Sequence, residues 1–247
     1  MTLANCRVVL VRPHYAGNVG ATARVMRNFG LSHLVLVAPE ADVTARQARQ
    51  LSTHGEAILD QARVVADLGK AVADCVLVVG TSAHSGGPYR RQSAGPPEEV
   101  LPRLVEAATV GPAALVFGPE PSGLSNAEVT RCHHLVTIPA DPAYPSLNLA
   151  QAVAVCLYEL RRAWLRHVPP SSGPEPPAAF AEQERMFEHL RAALTDVHVL
   201  WGANAATLMH ALRHLIGRAG PTAMELGLLH GLARQLQWIA EQGRRPS

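Results

Sequence analysis

From Cys6 to Trp164 the chain repeats one pattern: a short run of β-branched and other apolar residues, then a stretch in which apolar residues recur at helical spacing. Each strand of this kind has to be returned by a helix that buries its own apolar stripe on the sheet. The pattern therefore commits the region to an α/β domain with a mainly parallel sheet. The apolar runs predict strands at residues 7–11, 34–37, 76–79, 114–117 and 135–138. The spacing between them predicts helices at 19–29, 45–59, 98–107, 126–132 and 147–166. In the last helix Leu149, Val153, Leu157, Leu160 and Trp164 share one side, which should pack hard on the sheet.

The pattern stops at a Pro-, Ser- and Gly-rich stretch from Val168 to Ala178, a composition that propagates neither a helix nor a central strand. Helical spacing resumes at 180–194, 207–216 and 223–239, with Gly220-Pro221 separating the last two. The expected organisation is an α/β domain over 1–167, a linker over 168–178 and a small all-α domain over 179–247. Acidic and basic residues balance in that tail, which fits docking by shape or dimer contacts better than electrostatic capture of RNA.

With 247 residues, 48% of them apolar, the chain can bury a sizeable core. Its longest apolar runs are strand-length, far below the roughly 18 residues of a membrane span. The opening residues lack the charged start and apolar stretch of a signal peptide, so a soluble, cytoplasmic protein with no membrane partner is expected. Cys6, Cys75, Cys132 and Cys156 form no CxxC pair, which argues against a disulfide framework and a zinc knuckle. A formal charge of +2 does not single out a nucleic-acid binder, so any RNA contact has to come from local clusters.

Three stretches carry candidate chemistry. The first follows the opening strand, from His14 through Gly17, Asn18, Gly20 and Arg24: a Gly-rich turn into a helix, where unpaired amides and the helix dipole favour an anion. As a bland alternative, Asn18 caps the helix and Arg24 sits on a solvated face. The second is Phe117-Gly118-Pro119-Glu120-Pro121-Ser122-Gly123-Leu124, where two glycines and two prolines force an unusual path at the carboxyl end of a strand. The third is Ile138-Pro139, then Tyr144-Pro145-Ser146-Leu147-Asn148-Leu149-Ala150, in which Ser146 alone could be an ordinary N-cap.

In this order and at these spacings, the three stretches resemble motifs one, two and three of the SpoU (SPOUT) family of RNA 2′-O-methyltransferases. The stretch Val78-Val79-Gly80-Thr81-Ser82-Ala83, the opening, and the tail segments Leu208–Arg213 and Glu225–Gly231 are similar to the TrmJ-type branch of that family, so the resemblance covers nearly the whole chain. It implies a SPOUT α/β fold with a deep trefoil knot, a homodimer with its active site at the subunit interface, and S-adenosylmethionine as cofactor. The implied substrate is tRNA, methylated on the ribose of nucleotide 32 in the anticodon loop; ribosomal RNA is the alternative. By position, the resemblance assigns Thr81, Ser82, Ala83, Gly118, Ile138, Pro145, Ser146 and Leu147 to the cofactor. Arg24 takes the catalytic position, supported by Asn18, Glu120, Ser146 and Asn148. Pro145 and Pro119 depart from the pattern, standing where a small polar and a charged residue are expected.

Methyl transfer from a sulfonium to a ribose oxygen requires hydroxyl, methyl carbon and sulfur to be aligned, which is worth about 7 to 11 kcal/mol in the best-oriented cases. It also requires the hydroxyl proton to be removed or polarised. No His-Asp pair lies inside the motifs, and a guanidinium with a pKa above about 12 stays protonated. Arg24 is therefore expected to bind the neighbouring phosphate or the developing alkoxide, with Ser146, Asn148 or a water relaying the proton. For RNA the candidates are Arg90 and Arg91 beside Tyr89, with Tyr15 and Tyr144 for base stacking, while Arg161, Arg162 and Arg166 read more simply as a solvated helix face. His133-His134 and the His210/His214 pair lack an acidic partner at metal-site spacing, so no metal is expected. A dinucleotide-binding oxidoreductase would share the strand, glycine turn and helix, but GxGxxG and a ribose-binding acid are absent. A catalytically silent RNA-binding protein is the other rival.

Overall fold

Seven strands pair in parallel into one sheet in the computed structural model of the chain, which describes residues 3–83, 94–120, 122–166 and 175–243. They are β1 (Cys6–Val11), β2 (His33–Val37), β3 (Arg63–Val65), β4 (Leu77–Thr81), β5 (Ala94–Gly95), β6 (Ala113–Phe117) and β7 (His134–Val136). Their spatial order is β3-β2-β1-β6-β4-β7-β5. Alternate residues enter two separate apolar layers: Val8, Leu10, Leu36, Leu115 and Phe117 face one side, and Val9, Val11, Val37, Ala114 and Val116 face the other. A sheet covered on both faces needs apolar residues at every position, so these strands read as continuous runs.

The first layer is closed by α1 (Ala16–Phe29), α5 (Pro97–Val110) and α7 (Leu149–Arg166), with the short α2 (Arg46–Ser52) and α3 (Glu56–Asp60) outside α1. On α7 Leu149, Val153, Cys156, Leu157 and Leu160 are buried, and each aliphatic side chain withdrawn from water contributes roughly 1.5–3 kcal/mol. The second layer is closed by α4 (Leu68–Val72) and α6 (Asn126–Val129). α1 stops at Gly30, whose φ of 79° opens the left-handed turn that lets Leu31 N–H reach the Met26 carbonyl at 2.9 Å.

The five predicted strands are present with shifted ends, while β3 and β5 have no counterpart in the sequence pattern. Both are edge strands of three and two residues, too short to show a period. The single helix predicted over 45–59 is instead α2, a 3-10 turn at Thr53–Gly55, and α3. Thr53 turns the chain at the break with φ 48°, and Gly55 packs so close to α1 that a Cβ there would lie 2.7 Å from the carbonyl carbon of Ala23.

α8 (Phe180–Asp196), α9 (Ala205–Ala219) and α10 (Ala223–Gly243) share an apolar core that includes Met186, Phe187, Leu190, Met209 and Leu226. The start of α8 is tied to the sheet layer. Phe180 is buried in the second apolar layer, its N–H donates to the Cys75 carbonyl at 2.7 Å, and Ala181 N–H donates to the Ala73 carbonyl at 2.9 Å. Beside it, His133 Nδ1 accepts from Val78 N–H at 2.9 Å and its Nε2 meets Gln183 Oε1 at 3.0 Å. Burial pushes the His133 imidazole down to about 4, and His134 and His214 likewise to about 4. Among residues 168–178 the described part, 175–178, runs against the α9–α10 turn, with Ala178 N–H donating to the Pro221 carbonyl at 2.8 Å.

Candidate active site

The carboxyl ends of β4, β6 and β7 lie side by side, and the loops leaving them enclose a cavity of about 340 Å³. Open parallel sheets bind ligands at this end, in the crevice between diverging loops. Thr81, Ser82 and Ala83 come from the end of β4, Gly118, Glu120, Gly123 and Leu124 from the turn after β6, and Ile138, Pro145, Ser146 and Leu147 from the loop after β7. All eight residues that the sequence assigned to a cofactor therefore meet in one place. Phe117 and Leu149 of the motifs also line it, as do Val136 and Ala152, which carried no site signal because core apolar residues are alike in sequence whether or not they wall a cavity.

The loops are fixed from behind. Thr81 Oγ1 donates to the Val116 carbonyl at 3.2 Å, and Ser82 N–H to the Val136 carbonyl at 2.9 Å. The glycine at 118 is required by the protein's own backbone: a Cβ there would sit 2.2 Å from the Gly123 carbonyl carbon and 2.2 Å from the Leu124 nitrogen. Gly123 itself turns the chain with φ 63°.

A polar network closes one end of the cavity. Glu120 accepts from Asn18 Nδ2 at 2.6 Å and from the backbone N–H of His14 at 3.0 Å, and Asn148 Nδ2 donates to Asn18 Oδ1 at 3.0 Å. Residues separated by 102 and 130 positions thus bring the three motifs into one hydrogen-bonded chain. Asn18 lies in the first turn of α1 and spends its side chain on Glu120 rather than on capping, since the N-cap position belongs to Tyr15. The cap of α7 is Asn148, not Ser146: its Oδ1 accepts from Ala150 N–H at 2.9 Å while its own N–H donates to Gln151 Oε1 at 3.3 Å. α7 accordingly starts at Leu149, two residues later than the spacing predicts.

Ser146 is exposed on the cavity wall. Arg24 is exposed on α1, six residues beyond Asn18, and makes no hydrogen bond or ion pair among the described residues. A six-residue step carries a side chain about 9 Å along a helix and roughly 120° around it, so Asn18 and Arg24 face different directions. Tyr89, Arg90 and Arg91 lie outside the described residues. Of the other basic candidates, Arg162 pairs with Glu159 at 2.8 Å and Arg161 packs its guanidinium over Trp164 at 4.5 Å.

Two contacts beside the network carried no sequence signal, because each joins residues far apart in the chain. His14 Nδ1 lies 2.6 Å from Glu40 Oε2. Arg12, with φ 43°, forms a two-pronged pair with Glu128, its Nη2 3.1 Å from Oε2. Burial alone would raise the Glu128 carboxyl, but hydrogen bonds from Arg12 and from Ser125 outweigh it and hold it below the usual carboxylate range. All four cysteines are buried thiols, with burial pushing each up to about 12. Among the described residues no cluster of three His, Cys, Asp or Glu side chains is placed to hold a metal ion.

The SpoU rRNA Methylase family matches residues 5–158, and the C-terminal domain of the tRNA methyltransferase TrmJ matches residues 181–246. The tRNA (cytidine/uridine-2′-O-)-methyltransferase TrmJ of Sodalis glossinidius (strain morsitans) is 39% identical over 239 residues, 95% of this chain and 92% of that protein. The TrmJ of Photorhabdus laumondii is 36% identical over 246 residues, 97% of this chain and all of its own length (100%). Among solved structures, TrmJ from Z. mobilis ZM4 superposes with a TM-score of 0.78 at 32% identity, covering 94% of this chain and 98% of that one. The SpoU methyltransferase AviRb from Streptomyces viridochromogenes, solved with AdoMet, superposes with a TM-score of 0.52 at 28% identity, covering 66% of this chain and 58% of its own.

Proposed function

Because the chain belongs to the SpoU methylase family, we propose that it uses S-adenosylmethionine to methylate the 2′-hydroxyl of a tRNA ribose, at nucleotide 32 of the anticodon loop. The observation that carries this reading is the convergence of the end of β4 and the second and third motifs on one cavity, with the first motif's Asn18 hydrogen-bonded to both Glu120 and Asn148 at its edge. The TrmJ-type tail favours tRNA over the ribosomal RNA named by the family. A cytoplasmic tRNA-modifying enzyme is the corresponding setting, and no described helix is long and apolar enough to cross a membrane.

The cavity suits the cofactor. Its volume lies within the roughly 300–1,000 Å³ usual for small-molecule sites. Leu124, Val136, Ile138 and Leu147 offer apolar walls to a purine, and Thr81, Ser82, Ser146 and the Glu120 carboxylate offer polar groups to an amino acid bearing a cation. When bound, S-adenosylmethionine supplies a methyl group on positively charged sulfur. Thr81, Ser82, Ala83, Gly118, Ile138, Pro145, Ser146 and Leu147 hold it, and Asn18, Glu120 and Asn148 orient the incoming ribose. The protein acts as a homodimer with the site at the subunit interface, where the Arg24 guanidinium binds the phosphate or the developing alkoxide. Exposed Tyr158 and Leu165 on α7, which packs against α1, support such an interface. The trefoil knot belongs to the same reading, formed by the loops after β6 and β7.

A nucleotide-binding oxidoreductase would place its ligand at the first strand-to-helix turn, whereas no residue of the β1–α1 turn lines this cavity. Incubating the protein with S-adenosylmethionine and unmodified tRNA, then mapping 2′-O-methyl nucleosides by mass spectrometry, tests the proposal. A 2′-O-methylated nucleotide 32 supports it. Methylation of ribosomal RNA alone, or of a base, overturns it.

A further inference from the structure

The turn after β6 gives Glu120, Ser122, Gly123 and Leu124 to the cavity wall, yet the network of Asn18 and Asn148 holds only its first residue. Its far end, Ser125, is the N-cap of α6, a helix of four residues that is too short to hold a wall in place by itself. We propose that the Arg12–Glu128 pair, which lies outside the three motifs, is a positioning device for the cofactor pocket. It fastens the far end of the turn to the loop after β1 and so sets the Gly123–Leu124 wall on which S-adenosylmethionine affinity depends. The assignment rests on the methyltransferase reading above.

The pair closes a ring. Arg12 Nη1 donates to Glu128 Oε1, and Nη2 donates to Oε2 at 3.1 Å. Glu128 Oε2 also accepts from Ser125 N–H at 2.8 Å, and Ser125 Oγ accepts from Glu128 N–H at 3.3 Å, so one carboxylate holds both the guanidinium and the end of the turn. Two residues after Arg12, His14 N–H donates to Glu120 at 3.0 Å, where the turn begins. The turn is thereby tied to one loop at both ends. Ser125 follows Leu124, which is 2% exposed and tightly packed: its nitrogen lies 2.2 Å from where a Cβ on Gly118 would stand, and its Cδ1 3.1 Å from one on Gly80. A shift of Ser125 is therefore passed to the cavity wall.

The loop side of the ring is equally fixed. Arg12 has a left-handed backbone, φ 43°, which a non-glycine residue keeps only where its surroundings over-determine it. Its N–H donates to the Val37 carbonyl at 2.8 Å, and the Pro13 carbonyl accepts from Ala41 N–H at 2.8 Å, so the loop is anchored on β2 while the side chain reaches α6. The Arg12 side chain is 36% exposed and that of Glu128 12%, which makes the carboxylate the more enclosed partner. Burial opposes its charge, and the hydrogen bonds from Arg12 and Ser125 overcome that opposition. Removing either partner leaves the other charge partly enclosed and unmatched. The opposite end of β1 supplies a comparison: Arg7 forms a pair of the same two-pronged form with Asp74, at 2.8 and 2.7 Å, and neither residue lines the cavity.

The test compares full-length wild type with Glu128→Gln, Arg12→Gln, Arg12→Lys and Arg7→Gln. Glutamine at 128 keeps the capping box, since Gln serves at that position as Glu does, and loses only the charge that Arg12 binds. Cofactor affinity is read by calorimetry, stability by melting of the same preparations, and KM and kcat by methylation of tRNA. Glu128→Gln and Arg12→Gln should each weaken S-adenosylmethionine binding about 10-fold, the coupling usual within one network, and the double variant no further than either alone. The KM for S-adenosylmethionine should rise in step, with kcat at saturation within about twofold. Arg12→Lys, which keeps the charge but loses the fork, should recover part of the affinity. Arg7→Gln should lower the melting temperature and leave cofactor affinity alone. Independently of turnover, exchange of the Gly123 amide, which donates to the Pro119 carbonyl at 2.8 Å, should quicken in Glu128→Gln and not in Arg7→Gln.

Wild-type cofactor affinity in Glu128→Gln and Arg12→Gln overturns the assignment. So does a fall in kcat with KM unchanged, or a loss of affinity that Arg7→Gln matches. If Glu128→Gln does not fold, Arg12→Gln and Arg12→Lys, at the more exposed partner, decide the matter. Wild-type protein that does not bind S-adenosylmethionine overturns the functional reading as well, whereas a wild type that binds it no better than Arg12→Gln does overturns this assignment alone.

Discussion

Replacing Gly118 by alanine places a methyl group 2.2 Å from the Gly123 carbonyl carbon and 2.2 Å from the Leu124 nitrogen. Both are backbone atoms, so no side chain can swing aside. Restoring ordinary contact at about 3.5 Å requires the end of β6 or the turn after it to move by roughly 1 Å. Overpacking of this kind costs about 1–3 kcal/mol. Gly118, Gly123 and Leu124 all line the cavity, so a shift of that size reshapes its wall. If the cost falls on the bound state, affinity for S-adenosylmethionine drops roughly 5- to 150-fold. If it falls on the fold, the melting temperature drops by about 2 to 12 °C for a chain of this length. Calorimetric titration and thermal melting of the same preparations separate the two. Gly123→Ala is the control: nothing lies within 4 Å of its Cβ, so only the left-handed backbone, at about 1–2 kcal/mol, opposes it. A Gly118→Ala protein that binds and melts like wild type would refute the close packing of strand end against turn.

Arg24→Ala should lower turnover by about 10²–10³-fold with cofactor affinity unchanged, the loss typical of removing one donor to developing negative charge; an Arg24→Lys enzyme of near-normal rate would show that positive charge suffices. Glu120→Gln removes the charge from two hydrogen bonds worth about 1.5–3 kcal/mol each, and a double-mutant cycle with Asn18→Ala should give coupled rather than additive losses in kcat/KM. Stability should fall on mild acidification. His133 is held at about 4 against an ordinary 6.5, so between those values the unfolded chain binds the extra proton, and the loss grows to the order of 3 kcal/mol below pH 4. Urea unfolding at pH 7.5, 6 and 5 reads this slope, and a flat profile contradicts it. Phe180→Ala should cost about 3–5 kcal/mol in the same assay, since the ring is 3% exposed within the sheet's second layer.

The long central strands and the amphipathic α7 were legible because burial on two faces and on one stripe leaves a period in the sequence. The edge strands β3 and β5 left none, being only three and two residues long. The break in the helix predicted over 45–59 was not legible either, since Thr53, a β-branched residue that no turn rule marks, takes a φ of 48° there. The membership of the cavity followed from motif order, but its wiring did not. Glu120 finds Asn18 across 102 residues and Asn148 finds Asn18 across 130, distances at which no spacing rule applies. His14 was visible as a residue before a glycine turn. Glu40, which lies 2.6 Å from its ring, stands in a loop outside every motif, so no motif spacing points to it.

The central claim is that three loops form one cofactor pocket, and hydrogen exchange with and without S-adenosylmethionine tests it most directly. The account predicts that the cofactor slows exchange together at residues 81–83, 117–124 and 136–149, the segments that wall the cavity. Protection confined to the β1–α1 turn, or no protection at all, would contradict it.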